Sequence, residues 1–230
     1  MKNNIFKFSL LFICCCFFNV SSAEELDLSA SEVKVDKTNK IVYAEGNVQI
    51  YDSKKNLIIS EKAEYNKSKN LLKALGKAEI TTAEKFKVSG TDIFYDKQKN
   101  IIYSENDTII LDRDGNKIFV NMFNYLTEKN MFLSKGNVRI VDKRNNEYFF
   151  SEIYIDEKKR KIVGSDVKSF FKEEVLKSDP RNEPRFFANS GTIDEDGVVL
   201  EKGIFTSCQS REGGKCPPWT IRAKKIRHDS

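Results

Sequence analysis

Few residues in this chain have the types and spacing that chemistry needs. Cys208 and Cys216 stand eight positions apart in the closing stretch IFTSCQSREGGKCPPWTIRAKKIRHDS, and His228 is the single histidine. Two thiolates and one distant imidazole make an incomplete zinc set, because a structural site takes four ligands. One histidine also leaves no multi-histidine metal centre, and His228 reads as a strand residue rather than as the base of a Ser-His pair. The 34 Asp and Glu residues sit mainly in turn clusters and on polar strand faces. Paired-carboxylate cleavage of a polysaccharide, as on some stacked β-coils, is the weaker alternative. No glycine loop for phosphate is present. The expectation is therefore no enzyme, no cofactor and no metal.

The first 23 residues, MKNNIFKFSLLFICCCFFNVSSA, set Lys2 and Lys7 ahead of an apolar run, with Ser21 and Ala23 before a cut. This is the pattern of a secretory signal peptide. Its apolar run is about 11 residues, short of the roughly 20 that span a bilayer. Cleavage removes Cys14, Cys15 and Cys16, leaves Cys208 and Cys216, and lowers the net charge from +5 to +3. A balance so near neutral argues against nucleic-acid binding, which needs a concentrated basic face. In an oxidising exported setting a disulfide is the better reading of the two cysteines. Paired with each other they close a loop of about nine residues, adding roughly 2.5 kcal/mol before strain. Pairing with cysteines outside this sequence is the alternative.

The elements that carry these residues repeat with a period of 30. Ile50, Ile80, Ile110 and Ile140 form one column, and Tyr65, Tyr95, Tyr125 and Ile155 another. Gly46, Gly76, Asn106 and Gly136 share a third, Asp52, Thr82, Asp112 and Asp142 a fourth, and Asn70, Asn100 and Asn130 lead to Arg160 in a fifth. Inside each unit the apolar spacing is two, as in NVQIYD and NVRIVD, which puts one set of side chains on one strand face. Polar clusters such as DSKKN, NKSKN and DRDGN mark turns between strands. A unit of two or three short strands cannot bury its apolar face alone, so stacked units must share one interior.

By this phase Val48, Ile50, Ala78, Ile80, Ile110, Val138 and Ile140 face inward on one strand. Tyr65, Tyr95, Phe123, Tyr125 and Ile155 do so on another. The plain reading of these columns is a core; the functional reading is an apolar groove. Asp at Ile50, Ile80 or Ile110 is expected to destroy a groove while leaving the stack folded. From Lys177 to Gly191 the pattern breaks at KSDPRNEPRFFANSG, and Pro180 and Pro184 predict a loop or crossover there. The chain therefore divides into a signal peptide (1–23), a repetitive β domain (24–176), a loop with terminal strands (177–203) and a cysteine/Trp segment (204–230).

FTSC at Phe205 to Cys208 and the strand WTIRAKKIRHD at Trp219 to Asp229 resemble the LPS-assembly family of Gram-negative outer membranes, the LptD or organic-solvent-tolerance family. The repeat elements YAEGNVQI and LSKGNVRI are similar to the N-terminal domain which that family shares with the periplasmic bridge protein LptA. The resemblance implies an all-β, repetitive β-jellyroll, two sheets forming an open apolar groove for the acyl chains of lipopolysaccharide. The twelve inward residues named above would line that groove. It further implies a periplasmic location at the outer membrane and passage of lipid to a β-barrel that this sequence does not include. Implied partners are LptA, added at a strand edge near Val33 to Ala44, and the lipoprotein LptE, reached through the barrel. A stand-alone periplasmic bridge and a polysaccharide-binding β-coil are the competing functions.

Overall fold

Apolar alternation broken by turn residues dictates antiparallel hairpins between neighbours in sequence. The structure, a computed structural model describing residues 26–170, 183–208 and 218–229, forms one antiparallel sheet of sixteen strands. They are β1 (Asp27–Ser29), β2 (Glu32–Asp36), β3 (Ile41–Tyr51), β4 (Leu57–Asn66), β5 (Leu71–Thr81), β6 (Lys87–Asp96), β7 (Ile101–Ser104) and β8 (Thr108–Leu111). There follow β9 (Lys117–Val120), β10 (Phe123–Leu126), β11 (Met131–Val141), β12 (Glu147–Asp156), β13 (Lys161–Phe170), β14 (Arg185–Asp194), β15 (Gly197–Thr206) and β16 (Ile221–Asp229). The order is a meander. β1 with β2, β7 with β8 and β9 with β10 each act as one long strand interrupted in the middle.

Those interruptions lie on a line that crosses every strand. Gly46 (φ 79°), Gly76 (φ 73°) and Gly136 (φ 104°) sit on it, as do Asp92 and Asp166 at positive φ. Pairing slips between Glu45 and Val48, between Ala74 and Lys77, and between Lys135 and Val138. An extra residue with left-handed backbone bends a strand and raises its twist, and repeated at one level it creases the whole sheet. The two sheets of the expected jellyroll are thus the two halves of one creased sheet.

Two rows of turns form the free margins. The first carries Lys40, Asn70, Asn100, Asn130 and Arg160 at φ 56°, 49°, 54°, 51° and 51°. The second carries Lys55, Lys85, Gly115 and Asn145 at φ 68°, 66°, 84° and 60°. Asparagine tolerates this conformation best among residues with a Cβ. In the second row Asp52 accepts from the Lys54 and Asn56 amides (2.9 and 2.8 Å) and from Asn56 Nδ2 (2.7 Å). Asp112 and Asp142 repeat the arrangement with Asn116 and Asn146.

Two expectations need correction. β14 starts at Arg185 and pairs with β13 from its first residue, so residues 185–191 of the loop expected over Lys177–Gly191 are strand. Pro184 stands just before it, where a missing N–H costs the ladder nothing. Among the described residues the outermost strands at the N-terminal end are β1 and β2; Ala44 lies on β3, paired to both β2 and β4, and is no edge. The signal-peptide reading falls on residues outside those described.

Candidate functional site

Two rungs of inward residues cross the sheet, one in each half. In the first half a cross-strand register runs Val35, Val42, Tyr65, Leu72, Tyr95, Ile102, Tyr125, Phe132, Ile155, Ile162, Ile193, Val198. In the second half it runs Leu28, Ile50, Ile58, Ile80, Val88, Ile110, Ile118, Ile140, Tyr148, Ser169, Phe186, Phe205, Ile221. Creasing the sheet sets the rungs face to face. Ile50, Ile80, Ile110 and Ile140 therefore belong to one wall, and Tyr65, Tyr95, Tyr125 and Ile155 to the other. Val48, Ala78, Val138 and Phe123 lie deeper, toward the crease. Sequence reasoning missed half of each wall. The signal was the same period: Leu72, Ile102, Phe132, Ile162 and Ile58, Val88, Ile118, Tyr148 are further apolar columns.

Eleven of the twelve expected residues are at most 2% exposed, and Tyr65 is half-buried. Phe132 packs on Tyr125 (ring centroids 4.4 Å) and on Phe86 from the opposite half (6.0 Å). The interior is filled by its own side chains here, because the walls are built from large residues that interdigitate. The expectation that Asp at Ile50, Ile80 or Ile110 leaves the stack folded is therefore wrong. Those side chains are 0–1% exposed, and an unpaired carboxylate there has nothing to solvate it.

The mouth between the two rows of turns is closed by side chains. Lys54 Nζ meets Glu128 at 2.7 Å, and the Thr82 hydroxyl donates to Glu157 at 2.7 Å. The Tyr125 hydroxyl donates to the other Glu157 oxygen at 2.7 Å, Arg113 Nη2 donates to the Glu157 carbonyl at 3.2 Å, and Arg160 pairs with Asp114. Glu157 is fully buried. Burial pushes its carboxyl above the usual glutamate range, against the pull of the Tyr125 and Thr82 hydrogen bonds, and Glu84 adds to the rise. Tyr125 is pushed up by burial and then by the Glu157 charge, so it stays a donor. Phe86, which replaces the asparagine found at positions 56, 116 and 146, turns inward beside this cluster.

Row-two turns face row-one turns about two and a half units further along, as Lys54–Glu128 and Thr82–Glu157 show. That offset leaves inner surface open on opposite halves at opposite ends. At the N-terminal end Val33 and Val35 are 48% and 57% exposed; at the C-terminal end Trp219 and Ile221 are 44% and 55% exposed. Trp219 packs edge-on against Phe205 (5.9 Å), which meets Phe186 (4.6 Å). Past Arg160 the mouth holds a cavity of about 310 Å³ with an apolar floor of Ile140, Ile162, Ile193 and Val198 and a charged rim that includes Arg144, Arg160 and Glu195.

Cys208 is half-buried and in no disulfide among the described residues, and Cys216 lies outside them. His228 falls on β16. No group of three His, Cys, Asp or Glu residues that could hold a metal occurs among the described residues.

This geometry defines a class: a creased-sheet β-jellyroll with an apolar interior running from one end to the other. The chain belongs to the OstA-like protein family, whose family model matches residues 20–179. None of the curated proteins matches it. Among solved structures it is similar to LptH of Pseudomonas aeruginosa, described as the LptA-homologous periplasmic component of the conserved lipopolysaccharide transport device. That chain is 11% identical, the match covers 62% of this chain and 82% of that one, and the TM-score is 0.27.

Proposed function

We propose that this chain is a periplasmic component of lipopolysaccharide transport and assembly, whose two layers part to receive lipid A acyl chains. The observation that carries this reading is the pair of facing rungs, apolar across the sheet but for Ser169 and uncovered at Val33 and Val35 at one end and at Trp219 and Ile221 at the other. A covered route is needed because each methylene costs about 0.8 kcal/mol to expose, or roughly 10 kcal/mol for a chain of a dozen carbons. The seam is held by side chains rather than by a backbone ladder, so opening it leaves every strand pair intact. Near-identical subsites 30 residues apart let a chain slide without a deep minimum.

The finer reading is the periplasmic portion of an LptD-type assembly protein, supported by the Trp219 to Asp229 motif, which leads into and fills β16. The free edge of β1 and β2 then accepts a strand of the bridge protein LptA, and LptE is met through the barrel. The test is a photo-crosslinking amino acid placed at Tyr65, Phe123 or Phe186 on the inner walls and at Tyr43 or Tyr154 outside. Lipopolysaccharide adducts from the inner positions alone are expected; equal adducts from the outer tyrosines overturn the groove.

A further inference from the structure

The outer faces of the two layers differ in how their charges are paired. On the first half charges are matched: Lys34–Glu32, Lys62–Glu45, Lys73–Glu64, Lys135–Glu152 and Lys225–Glu201 lie within 4.0 Å. That face carries outward rings as well, Tyr43, Phe94, Tyr103 and Tyr154, but its cations named above are all paired with carboxylates.

The second half is different. One outer cross-strand row reads Phe119, Arg139, Phe149, Lys168, Phe187, Ile204, Arg222. Beside it lie Lys87, Leu111, Lys117, Val141, Glu147 and Phe170. Aromatic rings alternate with cations over this surface, and Phe170 and Phe187 are 41% and 36% exposed. Arg139 lies over the Phe119 ring at 5.2 Å and pairs with Glu147 at 2.9 Å. Lys87, Lys117, Lys168 and Arg222 are exposed and form no ion pair among the described residues. An open trough of about 780 Å³ is bounded by Arg139, Phe149, Lys168 and Phe170, with Asp166 as the one carboxylate in its lining. Nothing in the packing of the interior calls for these outward rings.

We propose that the outer face of the second layer docks on an anionic lipid bilayer. Unpaired cations interleaved with rings over a broad sheet match a headgroup layer. The cations meet its negative potential, and the rings lie at the boundary with the acyl chains. The charge-matched first layer then faces away. This placement is independent of what the interior carries.

The test is flotation of the full chain with vesicles of phosphatidylglycerol and phosphatidylethanolamine, against vesicles of phosphatidylcholine alone. Binding to the anionic vesicles only is expected. The triple variant K117E/K168E/R222E should weaken it by about tenfold or more, since each cation near the surface contributes appreciably. F170S/F187S should weaken binding in both low and high salt, while the charge contribution fades with screening. The control K34E/K135E/K225E on the opposite face should bind as wild type does. Equal binding to neutral vesicles, an equal loss in the control, or retention of a soluble polyanion without vesicle binding overturns the proposal. Thermal midpoints near wild type show that each variant is folded.

Discussion

The Thr82 hydroxyl reaches across the mouth to the Glu157 carboxylate at 2.7 Å, joining turns 75 residues apart. In the other units the position of Glu157 is held by Lys37, Lys67, Lys97 or Thr127. The buried acid is thus local to one place on the seam, where Tyr125 also donates to it. Below the ordinary glutamate value of 4.5 both folded and unfolded chains hold the proton; above it the unfolded chain releases it first, because burial raises the folded value. Stability therefore falls as pH rises through that window. Urea midpoints from about pH 4 to about pH 8 should show this decline in wild type and a flatter profile in E157Q. An unchanged slope in E157Q places the titration elsewhere.

If the layers part for lipid, tying the margins together must block loading. Lys54 and Glu128 are the place to tie them, since their side chains already meet and the lysine is only 28% exposed. In a C208S/C216S background, K54C/E128C bridged by a short bis-maleimide should remain folded and lose lipopolysaccharide crosslinking from Tyr65 and Phe123. Each single cysteine variant, treated alike, should keep it. Full loading of the bridged protein means that acyl chains enter without parting the seam.

The period of 30 made the strands, the turns and one column of each wall legible, because Ile50, Tyr65, Gly46 and Asn70 recur in fixed register. The closure was not legible. It depends on which turn of one row faces which turn of the other, and the pairing of Thr82 with Glu157 follows from the twist accumulated across several strands. Glu157 itself reads as one more turn carboxylate among many. The end of the sheet was hidden for another reason: Pro184 and the polar run before it mask a strand whose partners lie on β13 and β15.

A column of small residues, Ala44, Ala74, Ser104, Ser134 and Gly164, lies on the inner face beside the crease, where the halves approach most closely. A Cβ on Gly164 would sit 2.4 Å from Phe150 Cδ1 and 2.7 Å from the Glu152 carbonyl oxygen. Gly136 has nothing within 4 Å, and only its φ of 104° opposes a side chain. G164A should therefore cost about 2–4 kcal/mol through overpacking against backbone, and G136A about 1 kcal/mol through strain. Denaturant midpoints of the pair check the order; a reversal would mean that the crease, not the packing beside it, limits stability.

Ile110 separates the two readings of the interior most sharply. It is 0% exposed and stands opposite Val88 and Ile118 in the second-layer rung. I110V keeps the wall apolar and removes one methyl, costing about 0.5–1.5 kcal/mol. I110A opens a cavity and costs about 2–5 kcal/mol. If the interior were only a core, lipopolysaccharide crosslinking from Phe123 would follow these losses of stability. If it is a lipid path, I110V should leave crosslinking unchanged, and I110A should leave it unchanged or raise it for as long as the protein is folded, because the added space favours an acyl chain. I110D should unfold the chain, so it reports on stability alone. Crosslinking that falls in proportion to folded-state stability across I110V and I110A would return the rungs to the role of an ordinary core.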